Sequence, residues 1–167
     1  MKQFLFTFCA FLMAGYATAN GDPVKTDLLS GTPQYVRYEQ TANSFCLAAE
    51  GKAATLCVSS ADWEGVVRAA GDLVNDIRMV SGATPRLVQE DSPVSRSVIV
   101  GTVGHSPLID KMVEEGRLDV SAIKGKWESF LIQTVGGNLV VAGSDKRGTI
   151  YGIYDISEKI GVSPWYW

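Results

Sequence analysis

The segment WEGVVRAAGDLVNDIRMVSG, from Trp63 to Gly82, places the tightest limit on what this chain can fold into. Trp63, Val66, Val67, Ala70, Leu73, Val74, Ile77 and Val80 recur at helical spacing and share one side of a helix. Glu64, Arg68, Asp72, Asn75 and Asp76 take the other side. Ser59-Ser60-Ala61-Asp62 offers N-cap chemistry ahead of the helix, and Gly82 is its stop. A helix with one apolar stripe holds in water only when a second layer covers that stripe. The rest of the chain must supply the layer.

The remaining segments supply it as strands. FCLAAEGKAATLC reads as a hairpin turning at Gly51-Lys52, with strands over 44–49 and 53–58. A short strand is expected at Arg86 to Gln89. SVIVGTVG is a continuous apolar run, the pattern of a central strand covered on both faces. WESFLIQTV and NLVVAG alternate about Gly136-Gly137, a turn suited to positive φ. HSPLIDKMVEEGRL reads as a helix with Ser106 as cap and Pro107 in its first position. In SDKRGTIYGIYDISEKIG, Asp145 or Ser144 caps a helix whose buried arc is Thr149, Ile150, Ile153, Ile156 and Ile160, closed by Gly161. The order after residue 44 is therefore β-β-α-β-β-α-β-β-α. Hairpins and crossovers are mixed, which implies an α+β two-layer sandwich: a mixed sheet with its helices packed on one face.

Residues 1–19 stand apart. Lys2 gives a positive start, Phe4 to Ala14 an apolar run, and Ala17-Thr18-Ala19 a cleavage signal, so they read as a secretory signal peptide. The chain is expected to be exported, to periplasm or medium, with no membrane attachment after cleavage. Residues 20–43 form a weakly patterned surface leader, with a short strand at Tyr35 to Tyr38. Residues 44–162 form the α+β domain, and 163–167 follow it. The net charge is −3, which argues against nucleic acid as a partner. Two cysteines follow the signal segment. Export permits a Cys46–Cys57 disulfide across the expected hairpin, and buried free thiols are the other reading.

The motifs that could carry chemistry are thin. GTVGHS lies between a strand and a helix, but it is not G-x-G-x-x-G. GSDKRGT, Gly143 to Thr149, lacks the Walker lysine arrangement, although Lys146 and Arg147 near a helix start could meet an anionic group. His105 has no sequence-local carboxylate and reads as a solvent-facing loop residue. Glu114-Glu115, and Asp155 with Glu158, read as solvated helix faces. No metal-ligand spacing and no cofactor motif is present, and no catalytic residue is assigned within this chain. The sequence ends on PWYW, where Pro164 blocks helix continuation and Trp165, Tyr166 and Trp167 follow.

GSDKRGTIYGIYDISEKIGVSPWYW, with GVVRAAGDLVNDIRMVSGATPRL and VIVGTVGHSPLID before it, resembles the N-terminal domain of family 115 glycoside hydrolases, the xylan α-1,2-glucuronidases. The resemblance covers Phe45 to Trp167. AGSDKRGTIYGIY is also similar to the accessory domain that precedes the barrel in family 20 hexosaminidases and family 67 α-glucuronidases. It implies a signal peptide and accessory domain, cut short before a (β/α)₈ catalytic barrel that would be its main partner. It also implies that the complete enzyme removes (4-O-methyl)glucuronic acid side groups from xylan with inversion, using two carboxylates of the barrel. By the same resemblance, Ser144, Lys146, Arg147, Trp165 and Trp167 fall on the edge facing the barrel, as substrate or interdomain contacts. Two other readings stand beside it: a stand-alone carbohydrate-binding module, and the accessory domain of a hexosaminidase-type enzyme.

Overall fold

The computed structural model describes residues 35–39, 44–92 and 94–162, together with the backbone of Thr7–Phe8. The strands are β1 (Thr7–Phe8), β2 (Val36–Arg37), β3 (Phe45–Cys46), β4 (Ala48–Ala49), β5 (Lys52–Ala53), β6 (Thr55–Val58), β7 (Leu87–Val88), β8 (Ser97–Thr102), β9 (Phe130–Val135) and β10 (Asn138–Gly143). The helices are α1 (Glu64–Ser81), α2 (Pro107–Glu114) and α3 (Lys146–Lys159). The centre is a five-stranded mixed sheet in the order β7-β6-β8-β10-β9. Its first four strands run parallel, and β9 is antiparallel to β10. This is the α+β arrangement with a mixed sheet that the segment order implies.

The segment order implies helices packed on one face; instead α1 and α3 cover one face of that sheet and α2 the other. Leu56, Val58, Val98, Val100, Leu139 and Val141 pack with Leu73 and Ile77 of α1 and Ile153 and Ile156 of α3. The alternate residues Cys57, Ile99, Val140 and Ala142 pack with Leu108, Ile109 and Met112 of α2, and with Leu118, Val120 and Ile123 of the connection after it. The doubly covered strand expected at SVIV is therefore β8, buried along its whole length. Strand order explains the division. The chain steps from β6 through α1 to β7 toward one edge, and from β8 past α2 to β10 toward the other. Crossovers of one hand made in opposite directions leave their helices on opposite faces.

The first hairpin differs from its expectation. Ala48 pairs with Ala53 and Ala49 with Lys52, so the turn is Glu50-Gly51, with φ of 51° and 75°. Two positive φ values are the two-residue hairpin geometry, and Gly51 takes one at no steric cost. The strand after the turn does not stay with its partner. Ala54 N still donates to Leu47 O, but Leu56 already pairs with Val98 of β8. LeuCysVal is apolar on successive residues, and only a sheet interior covers both of its sides. The Gly136-Gly137 turn is as expected: both φ values are positive and Val135 pairs with Asn138.

A buried side chain sets the register at the heart of the sheet. Asn138 Oδ1 accepts the Ser97 backbone N–H at 3.0 Å, fastening the start of β10 to the start of β8. β1, from the first 19 residues, lies between β2 of the leader and β3, antiparallel to both. Val36 is buried against the α1/α3 cluster, and Tyr35 packs beside it, so this part of the leader is bound to the domain. No helix among the described residues is long and apolar enough to cross a membrane.

Candidate functional site

In an open sheet with parallel strands, ligands and partners meet the crevice beyond the carboxyl ends of the strands. Here that edge gathers four loops: 59–63 after β6, 103–106 after β8, 144–145 after β10, and 127–129 before β9. Asp62 is buried at its centre. Its Oδ1 accepts Trp63 N and its Oδ2 accepts Thr102 N, each at 2.7 Å, so one carboxylate ties two loops together. It does not cap α1, whose N-cap is Trp63 and has no side-chain cap bond. The Trp63 indole is half exposed and stacks on the exposed His105 ring, with centroids 4.1 Å apart and planes tilted by 41°. Ser106 occupies the N-cap of α2, as its position in the sequence suggests, but its hydroxyl makes no cap bond. That Oγ is buried without a hydrogen-bond partner, against Gly101.

The β10–α3 corner is the most elaborately built part of the edge. Asp145 caps α3 by accepting Gly148 N on Oδ1 at 2.7 Å, and accepts Glu128 N on Oδ2 at 2.8 Å. These backbone donors, Glu128 first, hold its carboxyl below the usual aspartate value. Ser144 Oγ accepts Ser129 N at 3.1 Å, and Ser144 N donates to Ser129 O at 2.8 Å. Ser129 Oγ in turn donates to Trp127 O. The corner is tight: a Cβ at Gly143 would overlap Thr149 N, and one at Gly148 would overlap Ser129 O. Inside it, the Thr102 and Thr149 hydroxyls share a 2.8 Å hydrogen bond that joins β8 to α3. Glu128, a non-glycine residue, sits at φ 53°, a conformation that costs roughly 1–2 kcal/mol. The bonds to Asp145 and Ser144 offset that strain.

Arg147 runs outward from the same corner. It pairs with Glu128 at 2.8 Å, donates to Tyr151 OH at 3.0 Å, and holds its guanidinium carbon 5.8 Å from the Tyr151 ring centroid. Lys146 is exposed, and its stem lies over Gly65 in the first turn of α1. The structure thus brings Ser144, Lys146 and Arg147 to one edge, as fasteners of a corner and as exposed cations. Trp165 and Trp167 lie outside the described residues. The described chain leaves at Val162, beyond the far end of α3 from Lys146, and 14 helical residues span about 21 Å.

The two cysteines are not brought together. Cys46 is exposed on β3 and Cys57 is buried on β6, and both are free thiols. They part because β6 leaves the hairpin for the central sheet. Burial, then Glu50, raises the Cys46 thiol above its usual value, which keeps it protonated. The carboxylates read as solvated also differ among themselves. Glu115 is exposed and paired with Arg117. Asp155 instead accepts the Tyr35 hydroxyl in a part-buried contact, and burial raises its pKa. Tyr35 itself is pushed far above the phenol range by the same burial and by Asp155. This pair clamps the leader onto α3 rather than facing an open cleft. Among the described residues, no cluster of His, Cys, Asp and Glu is placed to hold a metal ion.

Sequence reasoning missed Trp127, which it placed in a strand. The strand starts three residues later, at Phe130, and Trp127 stands in the corner turn, 88% exposed. The preceding Gly125, at φ 75°, was the available sign that a turn and not a strand reaches this point.

The model for the N-terminus of glycosyl hydrolase family 67 matches residues 34–156. A solved structure of a family GH115 4-O-methyl-α-glucuronidase, described as specific for decorated arabinogalactans, superposes with a TM-score of 0.58 at 38% identity. The match covers 71% of this chain and 15% of that one. No curated protein matches.

Proposed function

From a chain that belongs to the family of glycosyl hydrolase family 67 N-terminal domains, we infer the non-catalytic N-terminal part of a secreted α-glucuronidase. The complete enzyme would remove (4-O-methyl)glucuronic acid side groups from xylan. One observation carries the reading: the match to a glucuronidase at 38% identity spans most of this chain but only 15% of the relative. In that arrangement the groups that break the glycosidic bond, a carboxylic acid and a carboxylate, belong to a barrel beyond Trp167. The edge bearing Ser144, Lys146 and Arg147, and the link bearing Trp165 and Trp167, would face that barrel.

Export is part of the proposal. Cleavage after Ala19 would remove β1 from between β2 and β3 and leave the five-stranded sheet untouched. N-terminal sequencing of the secreted product should begin at Asn20, and an intact Met1 or Lys2 terminus would refute the signal peptide. For the activity, the coding sequence after Trp167 should continue into a barrel with inward-facing acids. The complete product should release glucuronic acid from glucuronoxylan, while residues 20–167 alone should release none. Release from arabinogalactan and not from xylan would move the substrate to that of the solved relative. Turnover by residues 20–167 would refute the division of labour.

A carbohydrate-binding module is the second reading, and the exposed Trp127 is what favours it. Retention of residues 20–167 on insoluble glucuronoxylan, lost on Trp127→Ala, would establish it.

A further inference from the structure

The outer surface of α3 has a composition unlike that of a solvated helix. Arg147, Tyr151, Tyr154 and Glu158 follow one another at i, i+4, i+7 and i+11, so they share one stripe. Tyr151 is 39% exposed and Tyr154 46%, and Trp127, 88% exposed, immediately precedes Glu128, the ion-pair partner of Arg147 at the head of the stripe. The stripe begins at the β10–α3 corner and runs toward Val162, where the described chain leaves. We propose that this stripe, headed by Trp127, is the surface on which the catalytic body of the parent enzyme seats. The inference rests on the accessory-domain reading above and adds to it the surface of contact.

Three observations converge on it. The corner is built to hold an indole outward: Glu128 adopts a positive φ, and four hydrogen bonds from Asp145, Ser144 and Ser129 fix the turn that carries Trp127. A solvent loop has no need of such a scaffold. Arginine, tyrosine and tryptophan side by side are also the residues that dominate protein–protein contact energy. They are pre-ordered here, since Arg147 is held by Glu128 and Tyr151, and Tyr154 OH donates to Asp72 of α1 at 3.0 Å. Finally, in the solved relative the matched region is a small fraction of the chain. A body of several hundred residues joined after Val162 is wide enough to lie along the whole of α3.

The test uses the complete gene product with p-benzoylphenylalanine installed at position 127, and a control with it at Lys111 on α2. Irradiation should join position 127, and not position 111, to peptides beyond residue 167. Trp127→Ala and Tyr151→Ala should each shorten the half-life of activity on heating about tenfold or more. In residues 20–167 alone, Trp127→Ala should leave thermal unfolding unchanged. A body that follows Trp167 but gives no cross-links from position 127 overturns this inference and leaves the accessory-domain reading standing. Cross-linking to added glucuronoxylan in place of protein overturns it in favour of a polysaccharide. A reading frame that closes at Trp167 removes the partner and overturns both.

Discussion

The two ends of α3 solve the same problem in opposite ways. At each, an aspartate holds down a segment distant in sequence. Asp145, at the first turn, holds the turn before β9 through backbone donors. Asp155, near the last turn, holds the leader through the Tyr35 hydroxyl, half buried. Backbone N–H groups favour the charged carboxylate and lower the Asp145 pKa. Desolvation disfavours charge and raises that of Asp155, although Tyr35 and Lys159 work against it. Residue type does not decide the direction. What decides is whether aimed donors or lost water makes the larger contribution.

The largest effect should come from the part of α3 that serves both ends alike. Ile153 is fully buried between the helix and the sheet. Ile153→Ala should cost about 2–5 kcal/mol by urea denaturation, with both ends released in one transition. Two separate transitions would show that Ile153 does not serve both ends in one folding unit. Asp145→Ala is expected to cost about 1–2 kcal/mol, the loss of a helix cap and of the bond to Glu128. Amide exchange should rise at 127–129 and stay unchanged around Tyr35; equal acceleration at both places would mean the ends are coupled.

The smallest effect is in the pH dependence, where the two aspartates oppose each other. The folded-state pKa of Asp145 is lowered, so its contribution is present above the ordinary carboxylate range and is lost as pH falls through the folded value. The folded-state pKa of Asp155 is raised, so the folded state holds its proton more tightly than the unfolded chain. Its contribution is full below the ordinary carboxylate value and fades as pH rises through the folded one. Asp145→Asn should therefore flatten the acid-side loss of stability, and Asp155→Asn should flatten the decline on going from acid toward neutral pH. Unfolding curves from acid to neutral pH check both, and changes of the same sign would sink the argument.

Much of this was readable in advance where one periodicity spoke alone. The part of the α1 stripe from Val66 to Ile77, the covered run of β8, the glycine turn between β9 and β10, and the arc of α3 lie where expected; Trp63, expected in the α1 stripe, is exposed at the N-cap, and Asp76, expected opposite it, is buried. What escaped were features that depend on distant strands. The segment through Cys57 is a hairpin arm by local pattern, but its unbroken apolar run draws it into the central sheet and away from Cys46. Placing α2 alone on its face needs the strand order, which no local pattern contains. At the candidate edge, Asp145 was visible as a cap. Its second bond, to Glu128, was not, because only the tertiary fold brings those residues together. Trp127 looked like the start of a strand because an apolar residue beside alternating neighbours reads that way whether it faces inward or out.

The bond from Ser97 to Asn138 also sets an order of events. The seam between β8 and β10 joins residues about forty positions apart, and its register is locked by a side chain at the very start of the later strand. Until Asn138 has left the ribosome, β8 carries one edge of unpaired backbone N–H and C=O groups. Non-local pairing of this kind is slow and leaves sticky intermediates exposed. The molecule thus carries a built-in delay, and the interval before Asn138 arrives is when a holdase would matter most.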